Sequence, residues 1–80
     1  MKVQLWLRGY LRQYIPHDSG EKQIIQEVSE GMTIGDLLER LKIPGWRVTM
    51  IYLNGVRVNN DEILKDGDYL RVYPQIFAGG

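Results

Sequence analysis

Residues Lys2 to Arg8 alternate. Val3, Leu5 and Leu7 fall on one side of an extended chain, and Gln4, Trp6 and Arg8 on the other. A two-residue period over this length predicts a half-buried strand. Gly9 interrupts it. Tyr10 to Ile15 read as a short helical turn or a bent connection, and Pro16-His17-Asp18-Ser19-Gly20 is a cluster of chain breakers that reads as a loop. Gln23 to Val28 predict a second strand, antiparallel to the first.

The period then changes from two to 3.6. Ile34, Leu37, Leu38 and Leu41 have the i, i+3, i+4, i+7 spacing of one helix face and are expected in the core. Thr33 is a good N-cap, and Asp36 at the third helical position makes an acidic capping box. The helix is predicted from about Ile34 to Lys42, stopped by Pro44-Gly45. Lys42 suits its C-terminal dipole, and Glu39 with Lys42 is spaced for a helical ion pair. Val48 to Leu53 is a strand, Asn54-Gly55 a hairpin turn that tolerates positive φ, and Val56 to Val58 the short return strand. Asp61 to Leu64 reads as one helical turn, Lys65 to Asp68 as a turn, and Tyr69 to Tyr73 as the final strand. Two hairpins flanking one amphipathic helix give an α+β domain with a mixed sheet of four to five strands covered by one main helix.

The alternation also predicts two sheet faces. With Val3, Leu5, Leu7, Ile51, Leu53, Leu70 and Val72 inward, the outward set is Trp6, Arg8, Met50, Tyr52, Tyr69, Arg71 and Tyr73. Trp6, Met50, Tyr52, Arg71 and Tyr73 then make a patch of the residue types that dominate protein interfaces.

Composition narrows the function. Eighty residues make one domain, and a domain of this size buries about 60–65% of its unfolded surface. There is no cysteine, which removes disulfides, thiolate metal sites, thiol nucleophiles and [2Fe–2S] ligation. Ten basic and ten acidic residues balance, so neither nucleic acid nor a membrane surface is an expected partner. The N-terminus enters a strand pattern without a signal-peptide core, and a cytoplasmic location is expected. His17, the single histidine, reads as a solvated loop residue; Asp66 and Asp68 read as turn formers rather than cation ligands. Arg8, Arg12, Arg40, Arg47, Arg57 and Arg71 are scattered and read mostly as solvated charges.

The sequence finishes on Gly79-Gly80. A carboxylate there, with no neighbouring side chains, suits threading into another protein's active site. Together with the element order, the Asn54-Gly55 and Asp66-Gly67-Asp68 turns and the Tyr73-Pro74 strand exit, this end resembles the MoaD/ThiS family of ubiquitin-like sulfur carriers. The two turns are common in hairpins; the diglycine at this distance from the last strand is the more specific signal. The resemblance spans essentially the whole chain. It implies a β-grasp fold over residues 1–74, with the first and last strands side by side, and a flexible tail over 75–80. It also implies that an ATP-dependent, ubiquitin-activating-like adenylyltransferase adenylates the Gly80 carboxylate. A persulfide sulfur then replaces AMP to give a thiocarboxylate. The acceptor would be a synthase of the molybdopterin large-subunit or thiazole synthase type. Gly79 gives the narrow backbone that a channel needs, and Phe77 joins the docking residues. The chain would bind no cofactor; ATP is used by the partner. It would be a protein co-substrate rather than an enzyme. The tail Gln75-Ile76-Phe77-Ala78 lacks the second proline of the molybdopterin subunits, leaving molybdenum or tungsten cofactor, thiamine and other sulfur transfer open. A ubiquitin-like protein modifier and a non-catalytic interaction module are the rival readings.

Overall fold

The strands form where the period-two runs lie. The structure, a computed structural model, describes residues 1–15 and 23–76. Strand β1 (Lys2–Leu7) leads through a 3-10 helix (Gly9–Tyr14) toward β2 (Gln23–Glu27); helix α1 (Ile34–Arg40) follows. A second 3-10 helix (Gly45–Arg47) opens the hairpin of β3 (Val48–Leu53) and β4 (Val56–Val58), and β5 (Tyr69–Pro74) comes last. The sheet order is β2-β1-β5-β3-β4. β1 and β5 are parallel neighbours at its centre, with Leu5 opposite Leu70 and Leu7 opposite Val72, and the other pairs are antiparallel. This is the β-grasp arrangement expected, with five strands and one main helix. No helix among the described residues is long and apolar enough to cross a membrane.

Val3, Leu5 and Leu7 from β1, Leu70 and Val72 from β5, and Ile51 from β3 are buried in one cluster with Ile34, Leu37 and Leu38 of α1. Leu53 and Leu41 pack on its margin. Burying a Leu or Ile side chain is worth about 1.5–3 kcal/mol, so this face holds the helix on the sheet. Leu11, from the first 3-10 helix, closes the same core.

The capping box forms as read. The Asp36 N–H donates to Thr33 Oγ1 at 3.1 Å, and the Thr33 N–H donates to Asp36 Oδ2 at 3.0 Å. The helix stops earlier than the Pro44-Gly45 pair. Lys42 takes φ 62°, the Ile43 N–H donates to the Leu38 carbonyl, and the Lys42 N–H donates to the Glu39 carbonyl. This is a Schellman stop with lysine where glycine is usual, closed by buried Ile43 against buried Leu38. Lys42 has therefore left the helix, and the spacing that suggested a pair with Glu39 no longer applies.

Asn54 and Gly55 both have positive φ, 53° and 85°, as a two-residue type I′ turn requires. Residues 61–64 are a correction: they form no helix. Ile63 bridges Thr33 instead, the Ile34 N–H donates to the Glu62 carbonyl, and the Leu64 N–H donates to the Met32 carbonyl. The segment spends its backbone groups on the entrance to α1, and Leu64 is buried there. Asp68 is engaged as a turn former, while Asp66 ties the turn to the start of β1. Asp66 Oδ1 accepts from the Lys2 N–H at 2.8 Å, and nearly buried Asp68 accepts from the Lys65 N–H and the Asn54 amide.

Candidate docking face and strand exit

The register of the three central strands assembles the outward residues. Trp6 lies opposite Arg71 across β1 and β5; Tyr52 lies opposite Arg71, and Met50 opposite Tyr73, across β3 and β5. All five are half-buried. Tyr52 and Tyr73 meet edge to face, ring centroids 5.6 Å apart, and Trp6 stacks with Tyr69 at 6.4 Å. The Arg71 guanidinium stands within 6.0 Å of the Trp6, Tyr52 and Tyr73 rings. Arg8 lies 4.5 Å over Trp6 and 5.5 Å from Tyr73. Each contact of this kind is worth about 0.5–1 kcal/mol at an exposed site.

The two guanidinium groups have aromatic neighbours and, among the described residues, no carboxylate within ion-pair distance. Their charge is therefore balanced by ring faces and solvent rather than by a carboxylate of the described residues. Arg8, one residue past the end of β1, joins this patch as the alternation with Trp6 predicts. Arg40 departs from the reading of solvated charge: it donates to Gln26 Oε1 and the Glu27 carbonyl, tying the end of α1 to β2.

A second assembly sits where β5 leaves the sheet. Past Pro74, the Gln75 N–H donates to the Arg47 carbonyl at 2.6 Å, and the Tyr10 hydroxyl donates to the Gln75 carbonyl at 2.6 Å. The Arg47 guanidinium donates to the Tyr14 hydroxyl at 2.7 Å and lies 4.8 Å over the Trp46 ring. Gly9 has φ +54°, and a Cβ on it would meet Pro74 Cγ at 2.9 Å. Both 3-10 helices thus converge on residues 74 and 75. No sequence motif signals this convergence, because it joins residues far apart in the chain; Gly9 after a strand was its one local sign. Ile76 is 81% exposed. Phe77, Gly79 and Gly80, like His17 and the Pro16–Gly20 loop, lie outside the described residues.

Comparison with known proteins gives one consistent family. Residues 1–78 match the Mut7-C ubiquitin family, Ub-Mut7C. The molybdopterin converting factor subunit 1 protein of Pyrococcus furiosus superposes with a TM-score of 0.70 at 30% identity, over 95% of this chain and 99% of that one. The Haloferax volcanii HVO 2177 protein gives 0.77 at 25% identity, over 99% and 87%. The complex of subunits 1 and 2 of molybdopterin-converting factor from Helicobacter pylori gives 0.60 at 24% identity, over 99% and 100%, a likeness of fold. No curated protein matches the chain. From its matched residues, its strand order and these relatives, the chain belongs to the Mut7-C ubiquitin family and is a ubiquitin-like β-grasp protein of the MoaD/ThiS type.

Proposed function

We propose that this protein is a sulfur carrier acting through the carboxylate of Gly80. One observation carries the reading: β5 occupies the sheet centre, bears Arg71 and Tyr73 on its outward face, and is followed in sequence by Gly79-Gly80. The outward residues of β5 and the proposed acyl donor are then close in sequence, Tyr73 lying seven residues before Gly80. Membership of a MoaD-type family supports it.

The chemistry follows from the carboxylate. It is a poor electrophile until it carries a good leaving group. Its oxygen attacks the α-phosphorus of ATP in an activating enzyme, releasing pyrophosphate and leaving an acyl-adenylate. A persulfide sulfur attacks the carbonyl carbon and expels AMP. Thiol cleavage of the resulting acyl disulfide leaves the thiocarboxylate. Glycine at the last positions keeps Cβ atoms out of the channel that brings these atoms together. The activating enzyme and the acceptor supply catalysis, and the carrier supplies position and the acyl group. The outward arginines suit a partner surface of carboxylates and backbone carbonyls. The Helicobacter pylori complex, a subunit 1 with its subunit 2, makes a synthase large subunit the first acceptor to test.

Intact mass of the protein purified from its own host tests the reading. A species ending at Gly80 and about 16 Da heavier, oxygen replaced by sulfur at the activated acyl carbon, is expected. Deleting Gly80 is expected to leave the melting temperature unchanged and to abolish ATP–pyrophosphate exchange by the activating enzyme. Equal exchange with and without Gly80 overturns the mechanism. Lysine-linked conjugates that vanish with Gly79-Gly80 would instead mark a protein modifier.

A further inference from the structure

The exit of β5 is held more tightly than the end of a strand needs. Strand pairing ends at Pro74 opposite Val48, yet the next residue is fixed at both its backbone groups. Its N–H goes to the Arg47 carbonyl and its carbonyl takes the Tyr10 hydroxyl proton, both at 2.6 Å. The same hydroxyl lies 3.3 Å from the Arg47 carbonyl, so one side chain spans both ends of the clamp. Arg47 is itself anchored through Tyr14 and Trp46. Behind the clamp, Pro74 sits against the bare Cα of Gly9.

We propose that Tyr10 is a positioning residue for the Gly80 acyl group: by fixing Gln75 it sets where, and in which direction, the backbone leaves the clamp at Ile76. The inference rests on the sulfur-carrier reading above. Its physical content is the length of the lever. Five residues from Ile76 to Gly80 reach at most about 17 Å. Release of Gln75 and Pro74 would add two residues, about 7 Å, to the longest span between the last fixed residue and Gly80. The effective concentration of a tethered group at a partner's active site falls as that span grows. Docking through Trp6, Tyr52, Arg71 and Tyr73 would orient the sheet. The clamp carries that orientation across to residue 76, so it acts on the reacting step and leaves docking unchanged.

The test is Tyr10→Phe in the full chain, which removes the hydroxyl and keeps the ring. Three quantities are read: the melting temperature, amide hydrogen exchange at Gln75, and ATP–pyrophosphate exchange with the activating enzyme of the source organism. Exchange at Gln75 is expected to accelerate about fivefold or more, the effect of losing one hydrogen bond. The kcat for pyrophosphate exchange is expected to fall by a similar factor, about fivefold, with KM for the carrier unchanged. A purely structural role would move the melting temperature and spare kcat. Unchanged exchange at Gln75, unchanged kcat, or a loss confined to KM overturns the assignment of Tyr10 while the carrier reading stands. A wild-type chain that supports no pyrophosphate exchange overturns both.

Discussion

Lys42 occupies a left-handed conformation that costs an L-residue with a Cβ about 1–2 kcal/mol. The two Schellman hydrogen bonds and the Ile43–Leu38 burial offset that cost, so the helix ends there regardless of the lysine's preference. Lys42→Gly is therefore expected to stabilise the protein by about 1 kcal/mol, read as a higher urea midpoint with unchanged slope. At the other end of α1, the Thr33 backbone N–H, and then its side chain, hold the Asp36 carboxyl below its ordinary value of 3.8. A lowered folded value means that the ionised form favours the folded state. That contribution is complete above 3.8 and is lost as pH falls through the depressed value. Melting curves of wild type and Asp36→Asn should differ by a constant amount near neutrality and converge as pH falls below 3.8 and through the depressed value. The capping box was legible from Thr33 and Asp36 alone, because both partners lie within four residues. Lys42 was not, because nothing local marks a lysine for positive φ.

The strands and α1 were legible for a related reason. Their periods are intrinsic to sequence, and Asn54-Gly55 fixes the β3–β4 register by its own backbone needs. Residues 61–64 misled because helix-compatible side chains were recruited by a neighbour: their carbonyl and N–H groups complete the edge of α1 rather than a turn of their own. The outward patch depended only on strand phase, and burial of Ile51, Leu70 and Val72 fixes that phase. The clamp on Gln75 could not be foreseen, since Tyr10, Arg47 and Gln75 meet only after the sheet closes. Gly9 is the element-level key to that region. A side chain there faces both φ +54° and the Pro74 ring. Gly9→Ala is expected to destabilise the domain by about 2 kcal/mol in chemical denaturation, while Gly31→Ala, which meets nothing within 4 Å, should lose only the cost of its positive φ.

At the scale of the molecule, one sheet face is spent on α1 and the other carries the aromatic and arginine patch. Arg71 stands among three rings on that open face, so Arg71→Ala removes little buried apolar surface. It should lower stability by about 1 kcal/mol or less, yet weaken partner affinity about tenfold, measured by titration calorimetry with the activating enzyme. A large loss of stability with unchanged affinity would place Arg71 in a structural role instead. The parallel pairing of β1 with β5 has a further consequence, in the order of synthesis. β1 and β5 are the first and last of the five strands, so Leu5 and Leu7 have no cross-strand neighbour on one side until Leu70 and Val72 have been translated. A ribosome-bound fragment lacking β5 would expose two adjoining strand edges and half a core. Folding must then wait for the closing strand, through a long and entropically expensive loop closure. A protease that clips the domain just before Tyr69 should unravel all of it at once.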